Sequence, residues 1–369
     1  MKFSITHLSL AVSMAFCSFP ALAQYNFEVK KNIDCTEVKS QGRTGTCWSF
    51  ATSSFLESEA IREGNEAIDL SEMYVVRMTY FDKARNYVLR QGNANFSQGS
   101  LSHDVIRVLA SEGVVTESAY PGRESMEDAH DHSEMERVLK GALDGLIKRQ
   151  PISDNWDDVV NAILDIYLGP LPEKFEVNGK EYKPKEFAEE LGVEAGDFVS
   201  ITSFSHHPYY KKFILEIPDN YSNGSYYNIP LDDMMDAIDA AISKGYTVAW
   251  DGDVSEAGFS QKEGIAILPS ENRRDDLFDA PADEVKVTQE NRQSNFEQLK
   301  TTDDHLMHIT GIAHDQKGTK YYITKNSWGN VGPHEGFVYM SESYVRMKTV
   351  AIMVNDNAIP TAVANKIDL

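Results

Sequence analysis

The amino-acid sequence predicts an α+β protein of two lobes that meet at a cleft. Three observations carry that reading. The first half is patterned in helical periods punctuated by Gly and Pro, whereas the second half changes to short, β-rich segments bounded by turn residues. Helices first and strands later indicate α+β. The chain has 369 residues, 41% hydrophobic and 25% charged, the proportions of a folded protein long enough for about two units with cores of their own. The expected division is residues 1–23 as a signal peptide, 24–195 as a mainly helical lobe and 196–369 as a β-rich lobe.

Met1 to Gln24 reads as a secretory signal. Lys2 supplies the positive start, an apolar stretch runs from about Leu8 to Phe16, and Ala21-Leu22-Ala23 forms a small-x-small cleavage site. Export is therefore expected, periplasmic or secreted, with cleavage near Ala23. The apolar run is too short to span a bilayer, and no later segment approaches about 18 uninterrupted apolar residues. Lipid attachment at Cys17 is the alternative, but bulky Phe16 stands where lipobox signals carry a small residue.

The helices follow from punctuation and period. Cys47 to Ala60 contains no Gly or Pro, places Ala51 and Phe55 on one face with Trp48, and meets a stop at Gly64. Ser71 opens a second helix with Met73, Tyr74, Val76 and Met78 as its apolar surface. A third spans about Ser102 to Ser111, before Gly113. Leu139, Ala142, Leu143 and Leu146 recur at the spacing of an amphipathic helix, and another helix covers Asp154 to Tyr167, ahead of Gly169-Pro170. The strands expected are Phe198 to Ile201, Thr247 to Trp250, Met307 to Ala313, Tyr321 to Lys325 and Gly336 to Met340, with a helix near Leu231 to Ser243 among them.

Composition removes several classes of function. Thirty-five Lys+Arg against 57 Asp+Glu give −22, which repels phosphate backbones and anionic lipid, so neither nucleic acid nor a membrane surface is the expected partner. Three cysteines are too few for a disulfide-stapled scaffold or a multi-cysteine zinc site.

The chemistry is concentrated in three segments. Gln41-Gly42-Arg43-Thr44-Gly45-Thr46-Cys47-Trp48-Ser49-Phe50 delivers a cysteine from a turn-prone loop to the first turn of a helix. Unpaired N–H groups and the helix dipole there favour thiolate over thiol. Gln41, six residues upstream, can aim its amide N–H at the same space, so that it and the Cys47 N–H hold a developing oxyanion. A thiolate nucleophile needs a base and the base needs an orienting group. Asp304-His305-Leu306-Met307-His308 enters one strand, and Lys325-Asn326-Ser327-Trp328-Gly329 closes the next. Asn326 can accept a hydrogen bond from one histidine nitrogen, leaving the other for sulfur, while Trp328 covers that bond from water. The bland reading of Cys47 is a buried structural cysteine; its flanking pattern argues against that.

Cys, His and Asn in this order with these neighbours resemble the papain superfamily of cysteine peptidases. The resemblance implies a papain-like two-lobe fold with the nucleophile at a helix N-terminus in the helical lobe and His and Asn in the β-rich lobe. Thr44 stands where the common branch has its first cysteine and Thr46 where it has Ser or Ala. His305 lies roughly 260 residues after Cys47, against about 130–150 in the common branch, so large insertions are expected. That excess, with Ser71-Glu72-Met73-Tyr74, Pro184 to Glu190, His207-Pro208-Tyr209, Trp250 to Val254 and Ala358-Ile359-Pro360, is similar to the bleomycin hydrolase and aminopeptidase C branch. The resemblance implies a triad of Cys47, His305 and Asn326 with Gln41 as oxyanion donor. Gln98-Gly99-Ser100 resembles a substrate-lining Asn-Gly-Gly segment, so Gly99 and Ser100, with Trp328, are the expected substrate contacts. No metal or organic cofactor is implied, and the expected partners are peptide or protein substrates.

His305 is preferred to His308 as base: the resemblance implies a base followed by a small or apolar pair and a glycine six positions on, which Leu306-Met307 and Gly311 match, and strand alternation puts the two histidines on opposite faces. Asp304 is read as a solvated charge, and Glu127 to His132 as a solvated acidic run rather than a metal site. Cys35 is expected to be a free, dispensable thiol. In the resembled branch a C-terminal arm brings its carboxylate into the cleft to anchor the substrate's free amine. Here nine residues follow Pro360, at most about 30 Å extended, so another acidic group is expected to hold the amine, in a monomer or small homo-oligomer. An open-cleft endopeptidase and a non-catalytic peptide-binding protein are the alternatives.

Overall fold

The computed structural model of the chain describes residues 25–123, 125, 128–270 and 277–369. The signal segment, Cys17 and Glu127 lie outside the described residues.

The helical part begins after an N-terminal strand, β1 (Glu28–Asn32). It contains α1 (Cys47–Arg62), α2 (Glu72–Leu89), α3 (Ser102–Glu112), α4 (Ser133–Leu146) and α5 (Trp156–Leu168), then a hairpin of β2 (Phe175–Val177) and β3 (Lys180–Tyr182), and α6 (Pro184–Glu190). The remainder supplies β4 (Phe198–Thr202), β5 (Lys211–Ile214), β6 (Ser225–Asn228), α7 (Leu231–Lys244), β7 (Val248–Gly252), β8 (Phe259–Ser260), β9 (Ile265–Ala266) and α8 (Gln289–Glu297). It ends with β10 (His305–His314), β11 (Lys320–Lys325), β12 (Phe337–Ser341), α9 (Glu342–Lys348), β13 (Thr349–Asn355) and α10 (Thr361–Ala364). The fold is α+β. None of the described helices is long and apolar enough to cross a membrane.

One sheet organises the molecule. Its order is β5-β6-β4-β13-β7-β10-β11-β12-β9-β8, and β1 adds to β10. The first strand in sequence therefore belongs to the β-rich layer, although it precedes the helices. β7 and β10 run antiparallel with His305 opposite Gly252 and Leu306 opposite Asp251. Side chains alternate across a strand, which sorts these residues between two cores. Ala249, Leu306 and Met353 face the helical core with Phe55, Val76 and Val105. Trp250, Met307 and Ile352 face the other core with Met234, Ile238 and Ile242 of α7.

α1 explains how the site is held. It is buried on every side from Cys47 to Ala60, clamped between the other helices and the sheet, so it has no solvent stripe and cannot roll. Each fully buried Leu or Phe in such a position contributes about 1.5–3 kcal/mol. The loop before it is pinned as well. Gly42 has φ +63°, and a Cβ there would lie 2.5 Å from the His130 carbonyl oxygen, so only glycine lets this loop pass.

Candidate active site

The loop before α1 and the segment before α3 are stitched together around Cys47. The Gly45 N–H donates to Gln98 Oε1 at 2.7 Å, and Trp48 Nε1 donates to the Gln98 carbonyl at 3.0 Å. Cys47 is 8% exposed, and the Leu306 and Trp48 backbone N–H groups lie where they favour its thiolate. Cys35 and Cys47 are both free thiols.

The imidazole comes from the start of β10. His305 Nε2 lies 2.7 Å from Asn326 Oδ1. The same oxygen accepts the Ser327 N–H at 2.7 Å, and Asn326 Nδ2 donates to Gln261 Oε1 at 2.7 Å. Those two bonds orient the amide, so His305 Nε2 carries a proton and Nδ1 is the basic nitrogen. Trp328, 38% exposed, lies over the ring with centroids 4.8 Å apart. Gln41 is held from both ends: Oε1 accepts from Ser327 Oγ at 2.6 Å and Nε2 donates to the Thr44 carbonyl at 2.6 Å. An amide NH2 has two N–H groups, so one remains for a substrate oxygen.

Burial dominates the electrostatics. It pushes the Cys47 thiol up to about 12, opposed by the Leu306 and Trp48 N–H groups and reinforced by Asp303 and Asp251. It lowers His305 to about 4, against the hydrogen bond to Asn326. The helix terminus favours thiolate by about 0.3–1 kcal/mol, up to about 2. Burial acts in the opposite direction and prevails, so the resting sulfur is held as the thiol.

The other expected residues fall as follows. Gly99 is packed against a carboxyl: a Cβ there would lie 1.8 Å from Asp219 Oδ2. Ser100 is buried, with its hydroxyl on Asp104 Oδ2 at 2.7 Å, so its backbone is what it can offer a substrate. His308 is fully buried, with Nδ1 3.0 Å from Ser54 Oγ. Asp304 is exposed and accepts the Val254 N–H at 2.9 Å.

One expectation is corrected. His130 and His132 are buried, not solvated, and burial lowers both to about 4. His130 packs edge-on to Phe50 and His132 to Tyr80. Their acidic neighbours gave the run a surface composition, but the loop turns inward under α1. Among the described residues, the three metal-competent groups that do meet are His206, His207 and Glu216. There Glu216 bridges the two rings, and Gln293 Nε2 donates to His206 Nδ1 at 3.0 Å. That bond leaves the proton on the nitrogen a metal would need.

Two supporting residues had escaped the sequence reading. Ser327 adjoins Asn326 and was within a recognised motif. Gln261, on the turn between β8 and β9, carried no spacing signal at all.

Comparison with known proteins identifies the family. Residues 167–369 match the model of the Peptidase C1-like family, and residues 23–182 that of the papain family cysteine proteases. Aminopeptidase C of Lactobacillus helveticus is 23% identical over 376 residues, covering 89% of this chain and 81% of that protein. Aminopeptidase W of Lactobacillus delbrueckii subsp. lactis is 23% identical, with coverage of 93% and 86%. The crystal structure of PepW from Lactobacillus rhamnosis HN001 superposes with a TM-score of 0.73 at 19% identity, over 92% of this chain and 84% of that one. The chain belongs to the Peptidase C1-like family and is a papain-type cysteine peptidase.

Proposed function

We propose that the protein is an exported aminopeptidase that releases amino-terminal residues from peptides through a thioester acyl-enzyme. Cys47 Sγ attacks the scissile carbonyl as its proton passes to His305 Nδ1. The oxyanion is received by the Cys47 N–H and the Gln41 amide. His305 then returns the proton to the departing amine, and the C–N bond breaks to leave the acyl group on sulfur. In the second half His305 draws a proton from water, which displaces Cys47. Asn326 keeps the imidazole in its working tautomer throughout.

The observation that carries this reading is the 2.7 Å bond between His305 Nε2 and Asn326 Oδ1, beside a cysteine that opens a helix. The names of the aminopeptidase relatives support the exopeptidase leaning, and the small-x-small site at Ala21-Leu22-Ala23 supports export. The test is hydrolysis of a matched pair of fluorogenic peptides, one with a free amino terminus and one acetylated. Cys47→Ser must abolish cleavage of both. Equal cleavage of the pair would assign an endopeptidase instead. A wild-type protein that cuts neither, with Cys47 alkylated only as slowly as a buried thiol, would overturn the peptidase reading.

A further inference from the structure

We propose that Asp251 and Asp303, with Asp219 beside Gly99, form an acidic pocket next to Cys47 that binds the α-ammonium group of the substrate's first residue. The proposal rests on the aminopeptidase reading and names the residues that hold the substrate's amine.

Placement comes from the sheet. Asp251 sits directly opposite Leu306, so both side chains project from the same face, the one turned to the helical lobe. The Leu306 N–H lies where it favours the Cys47 thiolate, and both Asp303 and Asp251 act on that thiol. Asp303 is two residues before His305 and half-buried. Asp219 arrives from the loop after β5, with Oδ1 3.2 Å from Asn95 Nδ2, and its Oδ2 fills the space that a side chain at position 99 would take. Gly99 thus admits a carboxylate to the cleft wall. The Gln41, Ser327 and Trp328 cluster holds the other groups around the reacting atoms, and it contains no carboxylate.

Asp251 and Asp303 face other acids and no base, whereas Asp219 has Lys83 near it. Asp251 is 4% exposed, yet neither of its oxygens has a well-formed hydrogen bond, and nor does Asp303 Oδ2. The two carboxyls are near enough to share a proton, and the groups acting most on Asp251 are Asp303, Asp219 and Asp304. Burial and the neighbouring acids push Asp251 well above the usual carboxylate range, while burial and Asp219 push Asp303 up to about 7 against the lowering effect of Asp251. Lys83, whose ammonium is bonded to the Gly99 carbonyl, favours ionisation of Asp219, but it is not among the groups acting on Asp251 or Asp303. Burial holds these carboxyls toward the neutral form, and a cation arriving with substrate favours their ionisation. When the first peptide bond is cut, the α-nitrogen is two bonds from the attacked carbon, about 2.5 Å away. The reaction therefore carries an ammonium to the acids.

The experiment compares leucine aminomethylcoumarin amide, its N-acetyl derivative and acetyl-Lys-Leu aminomethylcoumarin amide, on wild type and on the Asp251→Asn/Asp303→Asn double variant. The expected result is a wild-type kcat/KM ratio strongly favouring the free amine over the acetylated substrate, falling by about two orders of magnitude in the variant. An unchanged ratio overturns the proposal. So does loss confined to the acetyl-Lys-Leu substrate, which would mean that the pocket reads a side-chain cation. In case the variant fails to fold, leucinamide and N-acetyl-leucinamide are compared as competitors on wild type; equal inhibition overturns the proposal and selective inhibition by leucinamide supports it. A wild type inert to all three substrates overturns the peptidase reading itself, a result distinct from active enzyme without amine preference.

Discussion

Replacing Gln261 by alanine separates orienting the catalytic imidazole from touching substrate. In the intact site Asn326 Nδ2 donates to Gln261 Oε1 at 2.7 Å, while Asn326 Oδ1 receives both the Ser327 N–H and His305 Nε2. Without Gln261 the buried Nδ2 loses its acceptor, a penalty of about 1–3 kcal/mol. Flipping the amide gives no escape, because Nδ2 would then confront the Ser327 N–H, a donor against a donor. It would also demand an acceptor at His305 Nε2, which moves the ring proton to Nδ1 and removes the lone pair that takes the Cys47 proton. Either response depletes the working arrangement. At about 1.4 kcal/mol per tenfold, kcat is expected to fall roughly 5- to 150-fold.

Gln261→Glu is the control, since its carboxylate still accepts from Nδ2. It should restore most of kcat although the bond to the Val331 carbonyl is lost. The assay is steady-state hydrolysis of the acetylated and free-amine substrates, with a thermal melt of each variant. A loss carried by KM would refute the reasoning, as would an alanine variant with wild-type kcat or a glutamate variant as impaired as the alanine one.

The remaining predictions concern the same neighbourhood. His305 is neutral, and so competent as a base, above a pKa lowered to about 4 by burial. With the acetylated substrate, kcat/KM should therefore hold as pH falls to about 5 and drop only near 4; an acid limb near the ordinary histidine value of about 6.5 would count against the buried pair. His308→Ala removes a fully buried ring bonded to Ser54, and a melt should show a loss of about 2–4 kcal/mol, as for other large-to-small core changes. Its kcat should survive in the folded fraction, and a stable but inactive variant would mean that the base has been misassigned. Cys35→Ser should leave kcat/KM within about threefold, because Cys35 is a free thiol apart from the triad. Mass spectrometry of active enzyme showing Cys35 bridged to Cys47 would contradict it.

How much of this was legible in the sequence depends on whether the signal is local. Helix starts and stops were legible because Ser71 caps α2 through Tyr74 N–H at 3.0 Å and Gly113 and Gly169 stand at helix ends. The Cys47 helix was legible from its lack of breakers, although burial on all sides denies it an amphipathic stripe. β1 gave no signal: Glu-Val-Lys-Lys-Asn is exposed throughout and joins the sheet through β10 alone. β13 was missed for the opposite reason, since every residue from Thr349 to Asn355 is buried and a strand covered on both faces shows no alternation.

The site divides along the same line. Cys47, His305, Asn326 and Gln41 each sit in a short run of distinctive neighbours, so their chemistry could be read before their meeting was seen. Gln261 and Asp251 could not be read so, because each becomes meaningful only through register. Asp251 is an ordinary acid until the pairing of β7 with β10 sets it opposite Leu306, whose N–H favours the Cys47 thiolate. A one-residue slip in that pairing would turn Asp251 to the opposite face, among Trp250 and Met307. There a carboxylate would be expelled. On the face it occupies Asp251 lies among other acids, Asp303 and Asp219, and the pairing of β7 with β10 is what sets it beside Leu306.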